Sequence, residues 1–146
     1  MNTKKRPRGK KLFTAAEANK ALPLVRAIVK DISELACGLR DRQERLNRLR
    51  RTDQGHMGEA YREELEMLQE DFDRSQERMQ EYVQELQALG VELKDYYIGL
   101  IDFPSWLNGH EVYLCWKLGE TEVAYWHELD AGFARRQSLK VEVHSR

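Results

Sequence analysis

This chain is poor in the residues that announce chemistry. It has two cysteines and three prolines in 146 residues, and its four histidines form no spaced set. Cys37 lies in a helical pattern and Cys115 in a strand pattern, so a disulfide framework is not expected and a reducing cytoplasm is the simpler setting. Long apolar runs are missing too. The stretch "ALPLVRAIV" is short and broken by Arg26, which argues against a signal peptide and a membrane span. There is no G-x-G-x-x-G, no P-loop and no G-x-S-x-G, so the nucleotide-binding and hydrolase classes with those signatures have no support. Net charge is nearly absent, at −1, and points to no partner.

That total hides a strong asymmetry. Residues 1–11 carry six Lys/Arg and no acid, whereas residues 53–90 carry eleven acids and three bases. The first segment has no hydrophobic period and is expected to be a disordered basic tail. Weak, salt-sensitive contact with nucleic acid is the one partner it suggests.

With 34% charged and 41% hydrophobic residues, the composition favours a helix-rich protein with a single core. Thr14 and Glu17 match a capping box, in which each side chain satisfies the other residue's free backbone N–H. Pro23 predicts a short helical turn over 15–21, then a kink and a long helix to about Arg51. Val25, Ile28, Ile32, Leu35, Leu39, Leu46 and Leu49 recur at spacings of three and four, skipping Arg42. From Tyr61 to Leu89 a second helix keeps the same beat, with Ser75 as its odd member. Sustained spacing of this kind marks a coiled-coil seam.

The glycine-containing segment "RTDQGHMGE" between them predicts an antiparallel hairpin. Segment 40–51 has six basic and two acidic residues, and segment 59–73 has seven acidic and one basic, so the two should lie side by side. Towards the base the stripe widens through Leu24, Val29, Ala36 and Val83, which predicts a further packing partner there. Towards the tip it narrows to a slim arm, about 30 Å long for about 20 residues.

The last third supplies the partner. Asn108-Gly109 is a strong two-residue hairpin signal, and Gly119-Glu120 suggests a second. Strands are predicted at about 99–107, 110–118 and 121–128, with Phe103 opposite Leu114 and Leu114 opposite Tyr125. Ile101, Phe103, Val112, Leu114, Trp116, Val123, Tyr125 and His127 then face the helices. The opposite face collects Asp102, Trp106, Glu111, Tyr113, Cys115, Trp126 and Glu128. The fold class is α+β: a long antiparallel two-helix coiled-coil hairpin packed at its base on a three-stranded antiparallel β-meander. Residues 12–146 form a single domain behind the tail.

Several phrases carry a resemblance: "FTAAEANKALPLVRAIV" followed by heptads, then "GLIDFP", "NGHEVYLCWKLGE" and "YWHELDAGFARRQSL". Over about residues 12–139 the chain resembles the prokaryotic family catalogued as domain of unknown function 2203. The resemblance implies a bacterial-type cytoplasmic protein with this helix-then-sheet order. It carries no assigned activity and so transfers no functional residue. The chain departs from the family in its basic leader, and in reading Arg135-Arg136-Gln137-Ser138 where the family pattern has Gly-Arg-Gln-Pro.

Two functional readings stay open. The first is a non-catalytic interaction module that binds a protein partner or its own copy. It would use the charged arm and an aromatic-acidic face of Trp106, Tyr113, Trp126, Glu111 and Glu128. The alternative is a small-ligand or metal-binding protein, or an enzyme, with Asp102, His127, Asp130 and Arg136 near the end of the third strand. "HELD" at 127–130 lacks H-E-x-x-H spacing, and a strand sends His127 and Glu128 to opposite faces, so no metal is expected there. No cofactor is expected either. His127 alone reads first as a hydrogen-bonded core histidine. Glu63, Glu66, Glu70 and Asp73 are spaced like the acids of Mg²⁺-holding helices but read as a solvated face, and Cys115 has no local histidine to activate it. "LDAGFARRQSL" is an anion-binding turn or a return over the sheet.

Overall fold

The computed structural model describes residues 9–52 and 58–139. Most of the expected tail (1–8), the middle of the inter-helix segment (53–57) and residues 140–146 lie outside the described residues. At the tail's end, Lys10 forms an ion pair with Glu111 and Lys11 stands over the Phe13 ring.

Helix α1, Ala15–Thr52, opens as its sequence dictates. The Thr14 N–H donates to Glu17 Oε1 at 2.9 Å and the Glu17 N–H donates to Thr14 Oγ1 at 3.0 Å. It then runs through Pro23 as one helix, which corrects the expected break. Ala18, Leu22, Val25 and Val29 are buried on both sides of the proline. Their shared packing keeps the helix continuous through the proline and outweighs the roughly 3 kcal/mol penalty of an interior proline. Leu24, expected in the stripe, is 57% exposed.

Helix α2, Glu59–Ala88, returns antiparallel to α1. Arg45 pairs with Glu64 at 3.4 Å, Arg50 donates to Gln69, and the Tyr61 hydroxyl donates to the Leu49 carbonyl. The segments predicted to lie together therefore do. The two polar interruptions of the seam find each other: Arg42 Nη1 donates to the buried Ser75 Oγ at 2.6 Å. No helix among the described residues is long and apolar enough to cross a membrane.

The sheet has five antiparallel strands in the order β1-β2-β3-β4-β5 rather than the three expected. They are β1 Glu92–Asp95, β2 Leu100–Leu107, β3 His110–Lys117, β4 Tyr125–Glu128 and β5 Gln137–Ser138. β1 and β5 are short and polar, so no hydrophobic period announces them. The Asn108-Gly109 turn has positive φ at both residues, 54° and 82°, as a two-residue hairpin of this twist requires. Phe103 faces Leu114 and Ile101 faces Trp116, as the sequence predicts. Pro104 is on an inner strand but beyond the end of β1, and its carbonyl accepts the Phe13 N–H at 2.7 Å.

The hairpin expected at Gly119-Glu120 takes a different form. β3 ends at Lys117 and β4 begins only at Tyr125, so no two-residue turn forms at Gly119-Glu120. Helix α1 captures the intervening chain instead. Asn19 accepts the Val123 N–H at 2.7 Å and returns its amide to the Val123 carbonyl at 3.1 Å. Val123 docks in the core through this clamp, and β4 pairs one residue out of the expected register: Leu114 faces Trp126, not Tyr125. A one-residue slip turns every side chain of a strand to the other face. Trp126 enters the core at 4% exposure, while Tyr125 and His127 join Asp102, Tyr113 and Cys115 on the outer face.

Candidate functional site

The outer face of β2, β3 and β4 holds a buried polar cluster. Asp102, Cys115 and His127 expose 3%, 0% and 2% of their surfaces. Asp102 faces Cys115 across β2 and β3, and Tyr113 faces His127 across β3 and β4. The imidazole spans β3 diagonally, and its Nε2 lies 3.1 Å from each carboxylate oxygen of Asp102. Its Nδ1 lies 2.7 Å from the backbone carbonyl of Glu128. A carbonyl only accepts, so the network assigns a proton to Nδ1. Burial raises the Asp102 pKa, and the neighbouring His127 opposes that rise without cancelling it. Burial, together with the Asp102 charge, pushes the Cys115 thiol up to about 12, so the thiol is neutral and a poor nucleophile as it stands.

Above the cluster, the chain after β4 turns back over the sheet. Leu129–Phe133 wall a cavity of about 280 Å³ whose other lining residues are Lys94, Leu100, Asp102, Tyr113 and His127. "LDAGFARRQSL" is thus the return over the sheet. At the cavity's side the Tyr113 hydroxyl donates to Glu92 at 3.0 Å, Lys94 donates to the same carboxylate at 2.9 Å, and the Lys94 ammonium lies 5.0 Å from the Tyr113 ring centroid. Burial and the Glu92 hydrogen bond push the Tyr113 phenol up to about 12. For Glu92, burial raises the pKa, but its bonds to Lys94 and Tyr113 hold it below the ordinary value.

Of the four residues read as a polar site, three line this cavity: Asp102 and His127 from inside, Asp130 from the exposed rim. Arg136 does not. It forks onto Glu120, with Nη1 donating to Oε1 at 3.0 Å and Nη2 to Oε2, and lies over the Tyr125 and Phe133 rings at 3.9 and 4.3 Å. Only its Nη1, 4.0 Å from Cys115 Sγ, touches the cluster.

The aromatic-acidic face is divided by the register slip. Trp106, Glu111 and Tyr113 share the outer face and are half-buried, with Glu111 bound to Lys10. Trp126 is in the core. Glu128 projects to that same side and accepts from His110 at 2.8 Å. Glu63, Glu66, Glu70 and Asp73 are exposed along α2. Sequence reasoning set Cys115 aside for want of a local histidine, and the fold brings His127 to it. Strand alternation already placed it with Asp102, and only His127 had to change faces to complete the cluster.

The Glu120–Arg136 fork is expected to contribute to the pH dependence of stability. Burial raises the Glu120 pKa, but hydrogen bonds from Arg136 and from the Lys117 N–H hold it below the ordinary value. A folded-state pKa below the unfolded one contributes stability above the unfolded value, and that contribution is lost as pH falls through the folded value. Arg136→Met is therefore expected to lower stability by about 1.5–3 kcal/mol at neutral pH, with the difference closing in acid. Urea unfolding of both proteins from pH 7 downwards checks this. A pH-independent difference would show that Arg136 acts by packing alone.

The architecture is a helical hairpin closed by an antiparallel sheet, with a polar cluster on the sheet face away from the helices. It belongs to a defined family. The model of an uncharacterized conserved protein family, DUF2203, matches residues 11–139, and the chain is a member of it. No curated protein and no solved structure matches.

Proposed function

We propose that this chain is a small-ligand-binding protein whose site is the cavity between the sheet's outer face and the Leu129–Phe133 turn. The carrying observation is the Asp102–His127 pair, buried at 3% and 2% yet placed on a cavity wall rather than inside the apolar core. Burying such a pair is expensive, and well-packed apolar residues often serve stability as well or better. A polar pair kept dry beside an open space is the arrangement expected where a ligand is oriented.

Thermal unfolding against separate panels of divalent metals, small carboxylates, phosphates and amines tests the reading. One class is expected to raise the unfolding temperature, as any ligand of the native state does. Asp102→Asn is expected to abolish that rise. No rise in any panel, or a rise that Asp102→Asn leaves intact, defeats the proposal.

A second reading, association through the arm and sheet base, draws support from exposed apolar side chains. Met67 on α2 is 65% exposed, and Tyr96, Tyr97 and Ile98 in the β1–β2 turn are 46–48% exposed. It predicts a molar mass in solution that rises with concentration and that Tyr97→Ser with Ile98→Ser returns to the monomer value. A cytoplasmic setting accords with either reading, since Cys37 and Cys115 are both free.

A further inference from the structure

We propose that Asp102, Cys115 and His127 form a binding site for one divalent ion of the zinc type, whose fourth coordination position opens into the cavity. This names the ligand class of the pocket and rests on the reading that the pocket binds one.

Four observations converge. First, the three side chains come from adjacent strands, and their donor atoms all lie within 4.8 Å of one another. Around a tetrahedral Zn²⁺, such donors stand about 3.3–3.6 Å apart. The 3.1 Å spacing of His127 Nε2 and the Asp102 oxygens is already close to that of a ligated pair, so the thiol sulfur is the atom that must close in. Second, the imidazole is oriented as a ligand. Metal-binding histidines donate their other ring N–H to a carboxylate, a carbonyl or water. His127 Nδ1 meets the Glu128 carbonyl at 2.7 Å, which leaves the Nε2 lone pair facing the carboxylate. Two acceptors at that distance either share a proton or are held together by a metal ion coordinated to both. Third, the charges balance. A carboxylate, a thiolate and a neutral imidazole sum to −2, and a divalent ion makes the buried cluster neutral. Fourth, the site has an entrance, because Asp102 and His127 line the cavity.

The donor set narrows the ion. One sulfur, one nitrogen and one oxygen suit Zn²⁺, and they suit Co²⁺ as its spectroscopic substitute, better than the all-oxygen shells of Mg²⁺ or Ca²⁺. Three protein ligands with an open fourth position is the pattern of zinc sites that hold water or substrate, not of closed structural ones. On binding, the ion displaces the thiol proton of Cys115 and any proton shared by Asp102 and His127, and these protons leave to solvent. Arg136 Nη1, 4.0 Å from the sulfur, can then donate to the thiolate. Asp130 stays at the rim and takes no part, so His127 alone of "HELD" enters the ligand set.

The full chain, made without a polyhistidine tag and stripped with chelator, is titrated with Co²⁺ and then Zn²⁺. One equivalent of Co²⁺ is expected to give a sulfur-to-metal charge-transfer band in the near ultraviolet, which one equivalent of Zn²⁺ removes. Cys115→Ser is expected to abolish that band while Cys37→Ser keeps it. His127→Gln is expected to weaken Zn²⁺ binding by more than the about 10–100-fold lost with an outer-shell partner. Circular dichroism of each metal-free variant separates lost ligands from lost folding. Absence of the band in the wild-type protein, or its survival in Cys115→Ser, overturns the metal site. If the band is absent while carboxylates, phosphates or amines raise the unfolding temperature, the metal falls and the ligand-binding pocket stands. If no class acts, both fall.

Discussion

Trp126→Ala is expected to destabilise the protein by about 3–5 kcal/mol, as much as Trp116→Ala, because both indoles are buried in one core. The two tryptophans reach it from neighbouring strands. Trp116 stands opposite Ile101, and Trp126 opposite Leu114. Chemical unfolding of the two variants, with oligomeric mass measured beside it, decides the matter. A Trp126→Ala protein of near-native stability that loses self-association would return Trp126 to the surface and restore the aromatic-acidic face.

A companion substitution sharpens the test. The Trp126 indole N–H is buried without a hydrogen-bond partner among the described residues. Such an orphan donor costs about 1–3 kcal/mol. Trp126→Phe removes the orphan along with part of the ring. It is therefore expected to destabilise far less than Trp126→Ala.

Gly99→Ala is the second large effect, at about 2–5 kcal/mol from backbone strain together with overpacking. Gly99 has φ +69°, and a Cβ built there would stand 2.7 Å from Leu118 Cβ and 2.9 Å from Val29 Cγ1. Neither neighbour has room to yield. Val29 is fully buried in α1, and Leu118 is pinned by its N–H bond to the Gly99 carbonyl at 3.0 Å. The position is where sheet and helix approach closely, so the loss is expected to be global. Gly109→Ala serves as the control: it shares the positive φ, at 82°, but a Cβ there meets nothing within 4 Å. Equal losses in the two variants, read from urea midpoints, would assign the effect to backbone strain alone.

Much of the architecture was legible because it rests on local rules. The capping box at Thr14 needs only residues three apart. The hairpin needs matched apolar spacing and opposite charge, and Asn108-Gly109 fixes the register of β2 and β3 through the turn alone. Even the break in the seam was readable, since Arg42 and Ser75 were its only polar members. Their hydrogen bond follows from the antiparallel alignment.

The register of β4 was not legible. It is set by Asn19, more than a hundred residues away, which clamps both backbone groups of Val123 and displaces the tight turn that Gly119 suggested. Because strand side chains alternate, that single shift moved Trp126 inwards and His127 outwards. β1 and β5 escaped notice for a related reason: two polar segments of four and two residues become strands only when a neighbour offers its edge.

By itself, the sequence determined the helical hairpin, the central pair of strands and the outward placement of Asp102 and Cys115, all consequences of spacing along a few turns of chain. The tertiary structure alone decided that His127 meets them. That contact depends on a distant side chain fixing one strand's register, and local periodicity carries no information about which of two adjacent residues faces the core.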